Sequence, residues 1–300
     1  MKFGKTDHSE TVDFTMPEDA PETKEILNKY VNSDCPLEVY VGCAKWNKTD
    51  LKGFYPKGTK DELTYYSRQF NAIEMNATFY KMPDRFQVEK WRDKTPEGFK
   101  FFPKVTNTVT HYRRLVDVRE LLEAFSDEIC HFEDRLGMAF MQLHENVTPS
   151  EFDKLKKVLT EFPKGIPLGI EVRNERWFSE KEIFDKYCRL LEELGMSNII
   201  VDTAGRRDMV HMRLTSPEAF VRYVGANHVS DKSRLDDWVK RIAIWQKEGL
   251  QKLYFFVHQN IEVESPLLAS YFIEQLNKQL GLSLQVPSKQ EETIQKTLFG

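Results

Sequence analysis

Residues 72–83 read AIEMNATFYKMP. Apolar Ala72, Ile73, Met75 and Ala77 are interrupted by Glu74, Asn76 and Thr78 at every second position. That is the period of a strand, whose successive side chains point to opposite faces. The spacing predicts a strand with a carboxylate, an amide and a hydroxyl along one face, and Ile73, Met75 and Ala77 along the other. Polar groups on a mostly buried strand are costly unless each is paired. This face is therefore either a buried hydrogen-bond network that locks the fold or one wall of a polar site. The choice depends on what the other strands deliver.

Working outward, residues 37–43 (LEVYVGC) read as a first strand, and residues 61–70 as an amphipathic helix with Leu63, Tyr66 and Phe70 at helical spacing. Pro83 and Asp84 open a further helix that runs through Trp91. Strands are predicted over residues 99–105, 136–143, 167–172, 198–202, 219–224 and 252–257. Helices are predicted over residues 116–132, 149–162, 180–194, 235–248 and 266–280, with Gly195 and Gly249 as stop signals. Strands that are apolar nearly end to end suit a parallel sheet covered on both faces. The alternation indicates the α/β class. Eight such units over roughly 260 residues fit a closed (β/α)8, TIM-barrel-like architecture better than an open sheet. No G-x-G-x-x-G turn follows the first strand, which disfavours a dinucleotide-binding fold. Residues 203–217 show no amphipathic helix, so the barrel is expected to be irregular between strands six and seven. Residues 36–285 read as a single domain. Residues 1–35 read as an N-terminal extension that either packs on it or stays loose, and residues 286–300 as a C-terminal tail.

A hydrophobic fraction of 40% is enough for a sizeable core, and the formal net charge of -4 gives no global attraction to nucleic acid or an anionic membrane. Cys35, Cys43, Cys130 and Cys188 are scattered, with no C-x-x-C pair. That disfavours a zinc ribbon or a dithiol redox motif and suits thiols in a reducing compartment. No apolar run approaches the roughly 18 residues of a membrane span, and MKFGKTDHSETVDF at the start has no apolar signal-peptide region. A cytoplasmic protein without membrane partners is expected.

In a (β/α)8 barrel the site lies at the C-terminal ends of the strands, and nearly every strand here delivers polar groups to that end. Glu74, Glu171 and Asp202 are the catalytic candidates. Trp46, Asn76, Thr78, Tyr80, Lys104, His111, Gln142, Arg173, Trp177, Arg222 and Asn260 are the substrate-binding candidates. A ring of alternating charges can also simply staple a barrel. The concentration at one end favours a ligand pocket, because buried charges must otherwise be paired. Thr78 and Tyr80 should lie near the mouth. Glu74 should lie deeper and need Arg173 or Lys104 to stay ionised.

These residues resemble the YecE-like family, a domain of unknown function (number seventy-two). The most specific piece is Glu74-Met75-Asn76-Ala77-Thr78-Phe79-Tyr80 with Pro83, similar to the family's E-x-N-x-T-F-Y-x-x-P signature. Phe54-Tyr55-Pro56, Thr110-His111, Gln142-Leu143, Glu171-Val172-Arg173 with Trp177, Asp202 and Arg222 also resemble family elements. Gly42-Cys43-Ala44-Lys45-Trp46 keeps only the outer residues of the family's G-T-S-G-W, and His144 stands where the family has proline. The resemblance covers residues 39–277 and implies a TIM barrel with its site at the strand ends. It implies no reaction, because the family's activity is not established.

Three functions compete. In the first, Glu74 and Glu171 are acid and base in a hydrolase acting on a phosphorylated or sugar-like substrate. Trp46, Tyr80 and Trp177 would be stacking walls, and Lys104, Arg173 and Arg222 would hold an anion. This reading requires both glutamates to face the cavity. If Glu74 is fully paired and closed off, its role is structural and the catalytic case falls to Glu171 and Asp202. In the second, Glu74, His111, Glu171, Asp202 and His258 would ligate a divalent metal in a phosphoesterase or isomerase, although no H-x-H or H-E-x-x-H spacing exists. In the third, Arg113-Arg114, Arg206-Arg207, Lys232 and Arg234 would bind nucleic acid or a phosphorylated ligand without catalysis, against the overall acidity. Cys43 at a strand end has no predictable histidine partner and reads as a small buried residue rather than a nucleophile.

Overall fold

The computed structural model describes residues 4–31 and 35–288. Among them, the strands are β1 (Glu38–Cys43), β2 (Ala72–Met75), β3 (Lys100–Pro103), β4 (Ala139–Gln142), β5 (Leu168–Glu171), β6 (Ser197–Asn198), β7 (Ile200–Asp202), β8 (Glu218–Gly225) and β9 (Lys252–Gln259). The helices are α1 (Pro21–Asn28), α2 (Glu62–Tyr66), α3 (Ala77–Tyr80), α4 (Arg85–Asp93), α5 (Arg119–Ile129), α6 (Phe152–Thr160), α7 (Arg176–Ser179), α8 (Lys181–Leu194), α9 (Ser230–Glu248) and α10 (Ser265–Leu280). This is an α/β fold, and its strand ladders are parallel.

The ladders form three sheets, in the orders β1-β9-β8-β7, β2-β3 and β4-β5-β6. β6 and β7 are two halves of the single strand predicted over residues 198–202. Ile199 separates them and donates its N–H to Ile170 O at 2.9 Å. The first half pairs with β5 and the second with β8. Parallel bridges from Phe101 to Leu136 and from Lys104 to Phe140 link the β3 and β4 regions. Side chains span β1 and β2. The Asn71 amide accepts from Val41 N and donates to Val39 O, both at 2.8 Å. The Tyr66 hydroxyl accepts from Cys43 N at 2.7 Å and donates to Ala72 O at 3.1 Å. Gly42 permits this approach, since a Cβ there would stand 2.0 Å from Ala72 O.

The two faces of the sheets serve different cores. One parity of side chains, including Ala72, Phe102, Phe140, Val201, Phe220 and Phe256, meets in a small apolar cluster. The other, including Ile73, Phe101, Met141, Ile170, Val221 and Phe255, packs in the larger core with the helices. Each fully buried phenylalanine contributes about 1.5–3 kcal/mol. This alternation aims the polar groups that follow. Glu74, Lys104, Gln142, Arg222 and His258 each stand two residues beyond a member of the small cluster. Asp202 stands two beyond Ile200, pairs in register with Tyr223, and so leaves on the helix side.

Several predicted boundaries move. The strand predicted through residues 72–78 ends at Met75, and Ala77–Tyr80 forms one helical turn. Thr78 therefore does not share a strand face with Glu74. Its buried hydroxyl lies 2.7 Å from Lys104 O and 3.1 Å from Met75 O, because capping those carbonyls satisfies it better than a place in the ladder. α9 begins five residues earlier than predicted, and β9 runs two residues further, which takes His258 into the strand. Residues 203–217 carry a single 3-10 turn, Arg207–Met209.

The N-terminal extension runs along the side of this sector. Gly205 N donates to Gly4 O at 2.7 Å. Phe14 lies under the Arg234 guanidinium at 4.6 Å. Trp245 Nε1 donates to Asp19 Oδ2 at 3.0 Å. In α1, Thr23 Oγ donates to Met212 O at 2.9 Å. The extension is thus bound to the sector whose connection lacks a helix.

Candidate functional site

Six strands contribute to one buried polar network. Arg222 on β8 lies between two glutamates. Its Nε and Nη2 donate to Glu74 Oε2 and Oε1, each at 2.8 Å, and its Nη1 donates to Glu171 Oε2 at 2.5 Å. His258 Nε2 on β9 is 2.9 Å from Glu74 Oε2, and Asn76 Nδ2 donates to Glu74 Oε1 at 2.8 Å. On the far side, Glu171 Oε1 accepts from Arg173 Nε at 2.7 Å and from Gln142 Nε2 at 2.8 Å. The Gln142 carbonyl then accepts from Lys104 Nζ at 2.8 Å. The order is His258, Glu74, Arg222, Glu171, Gln142, Lys104, with Arg173 alongside Glu171.

Ionisation follows from this geometry. Burial opposes the charge on Glu74, but Arg222 and His258 outweigh it and hold the carboxyl well below the usual range. Burial likewise opposes Glu171, and Arg222 and Arg173 bring it down to about 2. Arg222 is desolvated, but Glu171 and Glu74 hold its proton more firmly than usual. Lys104 responds in the opposite sense. Burial, reinforced by Arg222 and Arg173, pushes its amine down to about 7. Both carboxylates are committed to guanidiniums, which leaves the lysine with a neutral amide.

The Phe79 ring of α3 covers the Lys104 amine at 4.0 Å from its centroid, leaving Lys104 only 3% exposed. Phe79 packs edge-on to His111 at 4.9 Å, and His111 to His144 at 5.0 Å. His111 Nδ1 shares a hydrogen bond with the Thr110 hydroxyl at 2.8 Å. Burial, with His144 and Lys104 nearby, pushes its imidazole down to about 4. The segment that carries His111 is conformationally unusual. Thr108–Tyr112 is a π-turn, and Arg114, Leu115 and Asp117 all have positive φ. Backbone strain of this kind collects at functional sites.

Other predicted site residues lie elsewhere. Asp202 accepts from Arg234 Nη2 at 2.6 Å, from Trp238 Nε1 at 2.7 Å and from Arg207. Burial raises its pKa, and Arg234 and Arg207 more than reverse that. Trp177 is fully buried against Tyr187, with Nε1 donating to Val147 O at 2.8 Å. Trp46 is half-buried and packs edge-on to Trp91 at 6.1 Å. Asn260 follows β9, its amide N donating to Gly225 O at 3.3 Å. Tyr80 stands 76% exposed, next to Phe79 at 5.1 Å. Of the basic spots, Arg206 binds Asp208 and Arg173 O, while Arg207 and Arg234 bind Asp202.

The five residues considered as metal ligands do not converge. Among the described residues no group of three or more His, Cys, Asp or Glu is placed to hold an ion. A cavity of about 580 Å³ lies at the opposite ends of the strands, near Pro167 and Pro217, and another of about 690 Å³ beside Asp231 and Gln259.

Sequence reasoning undervalued three residues here. His258 was readable from parity, since it follows Tyr254 and Phe256 at period two. Phe79 lies inside the signature segment, but a phenylalanine carries no chemical signal. His144 gains its meaning only from the approach of His111.

The family model described as "Protein of unknown function DUF72" matches residues 40–292, so residues 4–31 lie outside the match. The UPF0759 protein YecE of Escherichia coli K12 is 26% identical over 272 residues, covering 83% of this chain and 97% of that protein. The UPF0759 protein YunF of Bacillus subtilis 168 is 29% identical over 155 residues, 47% of this chain and 52% of that protein. A crystal structure of a DUF72 family protein from Enterococcus faecalis V583 superposes with a TM-score of 0.64 at 18% identity. It covers 82% of this chain and 98% of that one.

Proposed function

This chain belongs to the DUF72 family of proteins of unknown function, and from that premise we propose an enzyme that binds a small phosphorylated or carboxylated substrate above the Glu74–Arg222–Glu171 network. The fold we propose is a closed (β/α)8 barrel of residues 36–285. Supporting closure are the Asn71 and Tyr66 links between β1 and β2, the bridges between the β3 and β4 regions, and the single apolar cluster fed by strands of all three sheets.

One observation carries the functional reading: a buried lysine with a pKa of about 7 is hydrogen-bonded to an amide while both neighbouring carboxylates are bound by arginines. Perturbed ionisation of this kind is characteristic of catalytic groups. Carboxylate acid–base hydrolysis is less well supported, because all four oxygens of Glu74 and Glu171 already accept hydrogen bonds from cationic or amide groups. In our reading the glutamates position Arg222 and Arg173, and Lys104 handles the proton. His111 and the exposed Tyr80 would line the approach. A nucleic-acid surface has little support, since Arg206, Arg207 and Arg234 are engaged internally. Among the described residues no helix is long and apolar enough to cross a membrane. The thiols Cys43, Cys130 and Cys188 fit a cytoplasmic location.

Calorimetric titration with inorganic phosphate and glycerol phosphate tests the reading. An anion beside Lys104 raises its pKa, so binding near neutral pH should take up protons, seen as an enthalpy that varies with the buffer. Binding should weaken about tenfold or more in Lys104→Met, as expected when a buried charge-assisted contact is lost. Absence of saturable binding, or equal affinity in that variant, would overturn it.

A further inference from the structure

We infer that Lys104 is a nucleophile whose amine condenses with the carbonyl carbon of a small anionic aldehyde or ketone. The inference rests on the anion-binding reading above and adds the chemical class of the substrate.

Three features of the geometry carry it. A lysine serving as a staple would lie against a carboxylate, and two belong to the same network, Glu171 on the lysine's own partner Gln142 and Glu74 beyond Arg222. Here Arg222 and Arg173 hold them, and Lys104 Nζ is left on Gln142 Oε1 at 2.8 Å. Gln142 is fixed in turn by donating its Nε2 to Glu171 at 2.8 Å, so it presents its carbonyl oxygen to the amine. Secondly, the amine is enclosed by apolar surface, with the Phe79 ring at 4.0 Å and the Phe140 ring at 5.9 Å. The attraction of an ammonium to the face of Phe79 is weaker than the cost of stripping water from a buried ion, so this environment favours the free amine. Thirdly, Arg222 and Arg173 repel a proton on Nζ, which agrees with the low pKa. An amine kept neutral near pH 7 by burial and neighbouring cations is the state needed for attack on a carbonyl.

The step balances without an oxidant. The Nζ lone pair forms the C–N bond while the carbonyl π electrons move to oxygen. A proton lost from nitrogen ends on that oxygen, giving a carbinolamine. The nitrogen lone pair then expels the hydroxyl, which takes up a proton from solvent and leaves as water, and a protonated imine remains. The phosphate or carboxylate of the substrate would face Arg173. Phe79, part-buried on the four-residue α3, must swing away to admit the carbonyl.

Borohydride trapping on the full chain tests this. The protein is incubated near neutral pH with pyruvate or glyceraldehyde 3-phosphate, reduced, and digested for peptide mass mapping. Lys104 should be modified at least about tenfold faster than exposed lysines, since an amine of pKa near 7 is half free base at that pH and an ordinary lysine is not. The rate should rise with pH around a midpoint near 7. Phe79→Ala, which removes the covering ring and leaves the amine in place, should increase trapping at Lys104. Modification spread evenly over surface lysines, with Lys104 untouched in both wild type and Phe79→Ala, overturns the inference. If phosphate still binds in that case, the anion-binding reading survives alone. If phosphate also fails to bind, both fall.

Discussion

Arg222 and Arg234 are both buried guanidiniums bound to carboxylates at strand ends, and they sit on opposite faces of one sheet. Arg222 faces the small apolar cluster and joins Glu74 to Glu171, in a network that continues to Lys104. Arg234 faces the helices. It joins Asp202 to Asp231 and is covered by Tyr223 and Phe14, while Trp238 donates to Asp202. The second cluster ties β7 to α9 and to the N-terminal extension, and Asp202 and Arg234 hold their usual charges more firmly. In the first, Lys104 is driven toward neutrality, as is His111 on the other side of the Phe79 ring. A buried ion pair by itself is weak evidence for stability or for function. What separates the two clusters is whether any member is left with a proton that neutral pH can move.

Breaking each cluster should show the contrast. Arg222→Met leaves two buried carboxylates without their shared cation, and should cost about 3–5 kcal/mol of unfolding free energy in urea titration. Asp202→Ala leaves Arg234 and the partly exposed Arg207 without a counter-charge. It should cost about 3 kcal/mol and leave phosphate affinity unchanged, because no part of that cluster faces the network. A loss of phosphate binding in Asp202→Ala would mean that the two clusters are not independent.

Titration sharpens it. Glu171 has a folded pKa of about 2, below the ordinary value of 4.5. Its stabilisation is present above pH 4.5 and is lost as pH falls toward 2. Glu171→Gln should flatten that part of the acid denaturation profile. Lys104 has the reverse consequence. Its folded pKa of about 7 lies below the ordinary 10.5, so between these values the unfolded chain binds the extra proton and stability rises with pH. Relative to Lys104→Met, the wild type should therefore gain stability between pH 7 and 10.5, measured by denaturation at fixed ionic strength. A constant difference across that window would mean the amine is not perturbed. The smallest effect belongs to Tyr80→Ala. The ring is exposed, so stability should change by no more than about 0.5 kcal/mol, and a drop in phosphate-ester affinity without that cost would place Tyr80 in the approach to the site.

Much of the network is legible in the sequence. Period-two alternation in residues 72–75, 219–224 and 252–258 aims Glu74, Arg222 and His258 at one face, and short apolar strands between helices give the α/β class. The pairing partners were less legible. Glu74 was expected to rely on Arg173 or Lys104 and instead takes Arg222 and His258, which lie 148 and 184 residues away. The strand through residue 78 was misjudged because alternation continues there while the backbone turns, with Thr78 capping carbonyls of its own turn and of Lys104. Trp177 looked like a stacking wall because an aromatic after a strand end gives no sign of whether it turns outward or inward.

The sequence by itself determined that parallel strands would carry carboxylates, guanidiniums and an amine to their C-terminal ends, because side-chain direction along a strand is fixed by its two-residue period. Tertiary structure decided the roles of those groups. The break at Ile199 sets the pairing of β7 with β8 and sends Asp202 to the helices, where Arg234 and Trp238 close around it. In the opposite direction, β8 brings Arg222 between Glu74 and Glu171, and both carboxylates are taken before Lys104 can reach them. A lysine's ionisation depends on charges and solvent within a few ångströms, supplied here by strands far apart in the chain. That is why residues 72–83 announced a polar wall, and only the folded chain shows that its neutralised partner is Lys104.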